Sequence, residues 1–179
     1  MLGNSFISPE AAVSHFNLQE GDLVADFGAG SGYFLPSLSA AVGETGRVYA
    51  LEIQKVLIEK LGSFVRSKNL ENVDIIWADL EAAGGAKLPD GSLDAVIMVN
   101  ILFQAERKEI LMAEARRVLK RGGSLHIIDW QAACAGVCPS PETVVSKAAA
   151  TDCAESNQFT YVRDFPVGSQ HYGLTFRAL

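Results

Sequence analysis

The sequence contains few cysteines. Only three of its 179 residues are cysteine, at Cys134, Cys138 and Cys153. An odd, low count does not indicate a disulfide framework, and three thiols with no histidine near them lack the usual zinc spacing. We therefore predict that these cysteines are small apolar side chains, that there is no metal site, and that the protein is cytoplasmic.

Long hydrophobic runs are also missing. No apolar stretch approaches the roughly 20 residues that a membrane-spanning helix needs. Met1–Ser8 has neither the basic start nor the apolar stretch of a signal peptide. The sequence therefore predicts neither a membrane span nor export through a cleaved leader.

Basic residues are in the minority. The chain has 15 Lys and Arg against 21 Asp and Glu, which gives a formal net charge of −6. Because nucleic-acid binding relies on Lys and Arg to neutralise phosphates, this balance argues against a nucleic-acid partner. What the chain does have is apolar content, 49% of its residues. That content predicts one globular domain over residues 1–179 with a substantial core.

The chain is organised around three glycines at alternate positions. The apolar run Leu23–Phe27 predicts a buried strand, Gly28, Gly30 and Gly32 follow, and Tyr33–Ala41 predicts a helix. Glycine permits positive φ and lets a ligand approach the bare backbone. The free N–H groups at the helix start favour a polar or anionic ligand group.

The spacing of these glycines distinguishes between ligands. In the dinucleotide pattern G-x-G-x-x-G the third glycine would stand at position 33, which is Tyr33 here. Tyr33 partly closes the space that a pyrophosphate needs, whereas an aminocarboxypropyl group needs less room and its ammonium suits Asp26. Glu52 lies about 20 positions beyond Gly32, where folds of this kind hold ribose hydroxyls.

With these features the stretch Asp26–Gly32 resembles the first motif of the class I S-adenosylmethionine-dependent methyltransferases. Leu88–Asp94 and Arg117–Gly123 are similar to the corresponding stretches of the ubiquinone and menaquinone methyltransferases and their small relatives. Arg121 stands where that family commonly has proline. Arsenite methyltransferases, which use several cysteines, resemble the same family.

The predicted elements alternate until the last part of the chain. Further helices are predicted over Pro9–Phe16, Ile53–Lys68, Phe103–Lys120 and Pro141–Ala154, and further strands over Arg47–Glu52, Val73–Trp77, Leu93–Val99, Ser124–Asp129, Phe159–Phe165 and His171–Ala178. Strands joined by helices predict an α/β fold with a parallel sheet between two helical layers. The short final connection predicts an antiparallel C-terminal hairpin. The resemblance implies the same three-layer Rossmann-like sandwich, with seven strands and the last one reversed.

Polar residues stand at or near five predicted strand ends, namely Asp26, Glu52, Asp79, Asn100 and Asp129. Ligands of such sheets bind beyond the carboxyl ends of the strands. The resemblance implies S-adenosylmethionine as cofactor and S-adenosylhomocysteine as product. The positions it implies for binding are Asp26, Gly28, Ala29, Gly30, Gly32, Glu52, Ile53, Ala78, Asp79, Leu80 and Asn100. Plain capping roles are the alternatives for Glu52, Asp79 and Asn100.

The catalytic residue is not identified by the sequence. Asn100, Asp129 and His15 are candidates, and His126 is predicted to be a core residue, so that His15 and His171 are freer. Trp130 is expected to pack near the sheet edge. The charges between residues 106 and 117 are expected to form a solvated helix face.

The acceptor is predicted to be a small molecule. Few residues precede the first strand, so the acceptor pocket is shallow, covered by the helix that starts at Ser8, or completed by a second copy in a homodimer. Two alternative functions are also compatible with the sequence. One is a module that binds S-adenosylmethionine without transferring methyl, and the other is a nicotinamide-dependent reductase, against which Tyr33 argues.

Overall fold

The computed structural model describes residues 7–131 and 139–179, and within them one sheet of seven strands forms the centre of the molecule. The strands are β1 (Leu23–Phe27), β2 (Arg47–Glu52), β3 (Val73–Trp77), β4 (Leu93–Val99), β5 (Leu119–Trp130), β6 (Phe159–Phe165) and β7 (His171–Ala178). Their order is β3-β2-β1-β4-β5-β7-β6. The strands pair in parallel except for β7, which is antiparallel to both β5 and β6. The predicted fold class is confirmed.

Helices cover both faces of the sheet. They are α1 (Pro9–Val13), α2 (Leu35–Val42), α3 (Lys55–Ser67), α4 (Lys108–Val118) and α5 (Lys147–Ser156). Side chains of α1, α2 and α3 pack in one core cluster, and those of α4 and α5 pack in another. Successive residues of β1 alternate between the two clusters, with Val24 in the first and Ala25 and Phe27 in the second.

The direction in which successive strands are added to the sheet changes at β1. The chain moves outward from β1 to β2 and β3, then returns to place β4 on the other side of β1. A crevice opens beyond the strand ends at such a switch point. The glycine turn follows β1 directly, so it lies in this crevice.

The long predicted helix over Phe103–Lys120 is wrong at both ends. Residues 101–105 form a turn, and α4 begins only at Lys108. Leu119 is already extended and pairs with Leu93, so it opens β5. Gly122 and Gly123 lie within β5, where its register against β4 shifts, and do not cap the helix. Strand pairing across the sheet overrides the local helical pattern here.

The predicted helix start at Pro141 is also wrong. Ser140 and Thr143 form only a turn, and α5 starts after Ser146, whose hydroxyl accepts a hydrogen bond from the Ala149 N–H at 3.1 Å. Two capping serines compete, and the second is followed by the better helix-forming run, Lys147–Ala150. Cys134 and Cys138 lie outside the described residues.

The charged face of α4 contains one buried member. Glu114 is buried, and its carboxylate accepts hydrogen bonds from the N–H groups of Gly84 and Ala86 and from the Arg117 guanidinium. The prediction of a solvated face is therefore wrong at this residue. Glu114 holds the loop between β3 and β4 against the helix.

Candidate functional site at the glycine turn

The glycine turn is bonded to the end of the neighbouring strand. The N–H groups of Gly28 and Ala29 both donate to the Leu51 carbonyl at 2.9 Å. Gly28 has a φ of 77°, and a Cβ atom there would stand 2.7 Å from Ile101 Cδ1. Gly30 has a φ of 56°, and a Cβ atom there would meet the Gly28 carbonyl oxygen only at ordinary contact distance, 3.8 Å. The turn thus needs glycine for its backbone angles and leaves its peptide groups bare.

Glu52 ends β2 and lies beside this turn. It is only 6% exposed. One carboxylate oxygen accepts from the Gly30 N–H at 3.0 Å, and the other accepts from the N–H groups of Ile53 and Gln54 at 2.9 and 2.8 Å. These charge-assisted bonds fix the carboxylate in one orientation.

A cavity of about 300 Å³, which we call the first cavity, opens beside Glu52. Its lining includes Gly28, Gly30, Glu52, Ile53, Ala78, Asp79, Leu80 and Asn100. Asp79 belongs here because β3 pairs with β2 up to Glu52 and Trp77. Ile53 stands at the rim with 49% of its surface exposed. The two predicted carboxylates, Glu52 and Asp79, thus line one opening.

A second cavity, of about 470 Å³, lies on the other side of the turn. It is lined by Ile7, Asp26, Gly28, Ala29, Gly30, Ser31, Tyr33, Phe34, Val99, Asn100, Gln104, Trp130 and His171. Gly28, Gly30, Asn100 and Gln104 line both cavities. The two cavities are therefore neighbours that share the glycine turn as a wall.

Asp26 is the acidic residue that lines the second cavity. It is 3% exposed, and among the described residues no hydrogen-bond donor contacts its carboxylate. Burial, and then the negative charge of Glu52, raise its pKa to about 7. A bare carboxylate of this kind favours a cationic partner, which would restore its ionised form.

Asn100 follows β4 and has an unsatisfied side chain. Its φ is 53°, a conformation that asparagine tolerates better than most residues. Its N–H donates to the Ile128 carbonyl at 2.8 Å, whereas its buried Oδ1 has no hydrogen-bond partner among the residues described. An orphaned buried oxygen on the wall of two cavities indicates a place for a ligand donor.

Three sequence candidates lie elsewhere. Gly32 lines neither cavity, because a Cβ atom there would stand within 3.1 Å of Leu61, Phe64 and Leu35. It is a packing glycine, and its contact with a cofactor stays a prediction. His15 also lines neither cavity, and its ring stacks on Phe165 at 5.5 Å.

Asp129 is fully buried and lines neither cavity. Its two oxygens accept from the N–H groups of Trp130 and Leu102 at 2.8 and 2.9 Å. Burial raises its pKa to about 6, against the lowering effect of these bonds. The carboxylate anchors the turn after Asn100, and its geometry does not support the role of a base.

Sequence reasoning did not place Trp130 and His171 in the site. The two residues pair across β5 and β7, and their rings lie 4.1 Å apart. A signal was present, because the reversed strand β7 must start at the edge where the parallel strands end. His126, by contrast, lies in the core as predicted, stacked on Phe16 and bonded to Thr175.

No helix in the described part of the chain is long and apolar enough to cross a membrane. Residues 7–131 and 139–179 also contain no group of three or more His, Cys, Asp or Glu residues arranged to hold a metal ion.

The fold is shared over almost the whole chain with a solved methyltransferase. A SAM-dependent methyltransferase from Aquifex aeolicus superposes with a TM-score of 0.90 and 29% sequence identity, over 98% of this chain and 92% of that one. The crevice beyond β1, with bare glycines and acidic strand ends, is where this fold binds its ligand. Fold and site together define a class I S-adenosylmethionine-dependent methyltransferase.

The chain belongs to the methyltransferase domain family, whose model matches residues 25–127. It is 30% identical over 114 residues to the ubiquinone/menaquinone biosynthesis C-methyltransferase of Erwinia tasmaniensis, which is 63% of this chain and 44% of that protein. It is also 30% identical over 112 residues to the arsenite methyltransferase of Homo sapiens, which is 59% of this chain and 30% of that protein. The chain thus matches less than half the length of these curated relatives.

Proposed function

We propose that this chain transfers the methyl group of S-adenosylmethionine to a small-molecule acceptor. The observation that carries the proposal is the pair of cavities that meet at Gly28, Gly30 and Asn100. A transferase needs two neighbouring sites, one for the donor and one for the acceptor, so that the two reacting atoms are held together.

The residues present fit this cofactor. Glu52 has its carboxylate fixed by three backbone N–H groups and faces the first cavity, where it suits ribose hydroxyls. Asp79 lines the same cavity and suits the adenine amino group, with Ile53, Ala78 and Leu80 against the ring. Bare Gly28 and Gly30 leave room for the methionine portion.

Asp26 and Asn100 complete this assignment. The Asp26 carboxylate has no donor among the described residues, so it suits the ammonium of the methionine portion, which would reach past the glycine turn into the second cavity. The orphaned Asn100 Oδ1 lies on the wall between the cavities, where the methyl group passes from one to the other. Ala29 lines the second cavity beside them.

The cofactor supplies a methyl group that is already activated by a sulfonium. The protein therefore has to position the acceptor in line with that methyl and keep water out. The apolar walls of the second cavity, from Ile7, Phe34, Val99 and Trp130, serve both tasks. Their size and apolar character support a small-molecule acceptor.

Calorimetry tests the cofactor assignment directly. We expect S-adenosylhomocysteine and S-adenosylmethionine to bind, whereas NADH, the ligand of a reductase, should not. Absence of heat at millimolar S-adenosylhomocysteine would contradict the proposal. Release of S-adenosylhomocysteine with quinols, thiols, amines or arsenite would then separate a transferase from a binding module.

Two assignments about the protein's setting remain part of the proposal. A cytoplasmic location is supported by the low cysteine count and the free thiol of Cys153. A homodimer is one way to close the second cavity, whose described cover from the N-terminal side is Ile7, held by the hydrogen bond from the Tyr33 hydroxyl to the Ile7 carbonyl at 3.1 Å. Sedimentation of the purified chain tests the dimer.

A further inference from the structure

The second cavity contains a buried histidine that the methyl-donor site does not use. His171 is 6% exposed and lines this cavity. Both of its ring nitrogens are buried, and neither has a hydrogen-bond partner among the described residues. Such atoms are costly to keep unpaired, so a ligand that bonds to them gains free energy.

The orientation of this ring is fixed by its neighbour. Trp130 is the cross-strand partner of His171, and the two ring planes are tilted by 37° at a centroid distance of 4.1 Å. The indole packs against the imidazole. The imidazole is therefore positioned before any acceptor arrives.

The surroundings of His171 keep it uncharged. Burial lowers its pKa, so the neutral imidazole is the form present at neutral pH. Among the described residues, Asp26 from β1 and Tyr33 are the other titratable groups that line the cavity, and Asp129 of β5 lies opposite Tyr172, the next residue of β7. A neutral imidazole can accept a proton.

The lining also restricts the kind of acceptor. Among the described residues no Lys or Arg lines the second cavity, so it has no cationic side chain to pair with an anionic acceptor. Its walls include the aromatic rings of Phe34 and Trp130 and the aliphatic side chains of Ile7 and Val99. This combination suits a neutral aromatic ring.

We propose that His171 is the base that binds the acceptor, and that the acceptor is a small aromatic molecule with a hydroxyl group. This inference rests on the proposed function. The acceptor oxygen forms a bond to the methyl carbon, and the carbon–sulfur bond breaks with its electron pair left on sulfur. The hydroxyl proton moves to an imidazole nitrogen of His171 and then to solvent.

The first test observes the histidine itself in the unmodified protein. With S-adenosylhomocysteine bound, 4-nitrophenol is added and the imidazole signals are followed by NMR. We expect the signals of His171 to shift, whereas those of His126, which is buried but lines neither cavity, should stay in place. The inference is overturned if 4-nitrophenol fails to bind at about 10 mM, or binds without moving the His171 signals.

The second test separates proton transfer from simple packing. His171→Gln keeps a hydrogen-bonding side chain but cannot take a proton at neutral pH. We expect it to bind 4-nitrophenol within about three-fold of the unmodified protein, while His171→Phe binds about ten-fold more weakly. Below the pH at which free 4-nitrophenol ionises, the unmodified protein should transfer methyl to it faster than His171→Gln does, whereas above that pH, where the acceptor no longer carries a proton, the difference should narrow.

An equal difference between the two proteins below and above that pH would rule out His171 as the base. The binding of S-adenosylhomocysteine separates a failure of the proposed function from a failure of the role proposed for His171. If the unmodified protein does not bind it, the proposed function fails. If it binds and the His171 results are negative, only the present inference fails.

Discussion

The first and second cavities share a wall but are built in different ways. In the first, the Glu52 carboxylate is already bonded to backbone N–H groups, and Asp79 bonds the Glu81 N–H. In the second, the carboxylate of Asp26 and the ring nitrogens of His171 have no partner within the described residues. The first cavity is thus preorganised for one ligand, whereas the second keeps unsatisfied groups that a ligand must complete.

The largest effect is expected at the shared wall. Gly28→Val adds atoms where even a Cβ would meet Ile101 at 2.7 Å, and it does so at a φ of 77°. The new side chain would cover the turn and displace Ile101, which lines the first cavity, so we expect roughly 100-fold weaker binding of S-adenosylhomocysteine by calorimetry. Gly122→Val is the control, because its φ is 79° and no atom of the described residues lies within 4 Å of its Cβ position. Equal binding by the two variants would refute the role of Gly28.

The second largest effect is expected at Glu52, one of two buried glutamates that can be compared. Glu52→Gln removes the charge beside the first cavity, and hydrogen bonds to charged groups contribute about 1.5–3 kcal/mol. We therefore expect about 30-fold weaker binding of S-adenosylhomocysteine. Glu114→Gln is the control, since Glu114 is equally buried and also accepts from two backbone N–H groups, but lines neither cavity. Both variants should melt at lower temperature, and weakened binding by Glu114→Gln would contradict the assignment.

Asp26 should show a trade-off between stability and binding. Its folded pKa of about 7 lies well above the ordinary aspartate pKa of about 3.9, so the folded state binds more protons than the unfolded state between these values. Stability therefore falls as pH rises from about 4 to 7 and is level above that. Asp26→Asn removes this loss. It should stabilise the protein at pH 8 by up to about 4 kcal/mol in thermal unfolding, with little effect at pH 4.

The same substitution should weaken the binding of the cofactor. An ammonium needs the ionised carboxylate, so binding by the unmodified protein should strengthen as pH rises through about 7. Asp26→Asn should bind about ten-fold more weakly at pH 8 and lose this pH dependence. Asp152→Asn, on the exposed face of α5, is the control. A stable variant with unchanged affinity would refute the role of Asp26.

The smallest effect is expected at Asn100. Asn100→Ala removes the side-chain oxygen that has no partner. It should weaken the binding of S-adenosylhomocysteine about three-fold, because a neutral hydrogen bond contributes about 0.5–1.5 kcal/mol. Asn69→Ala is matched for backbone cost, since its φ is 51° against 53° at Asn100, but it lies exposed after α3. Comparable melting temperatures with different affinities are the expected result. Equal affinities would mean that Asn100 only stabilises the backbone at the end of β4 and does not contact the ligand.

The first cavity could be predicted from sequence because its parts follow a general rule. Parallel strands joined by helices end at one edge of the sheet, so Glu52 and Asp79 had to approach the turn after β1. The bounds of β1, β2, β3, β4, β6 and β7 agree with their predictions because their apolar runs are short and bounded by turn residues.

The second cavity could not be predicted in this way. Ile7, Phe34, Trp130 and His171 are distant in the sequence, and only the strand order and the β5–β7 register bring them together. The end of α4 was missed for the same reason, since Leu119 follows its partner Leu93 and not its helical neighbours.

The sequence by itself determined the alternation of strands and helices, the glycine turn and the carboxylates at the strand ends, because each depends on residues close together in the chain. The tertiary structure alone decided which polar groups are left unpaired. Whether Asp26, Asn100 and His171 find hydrogen-bond partners depends on every side chain packed around them. Local sequence does not contain that information.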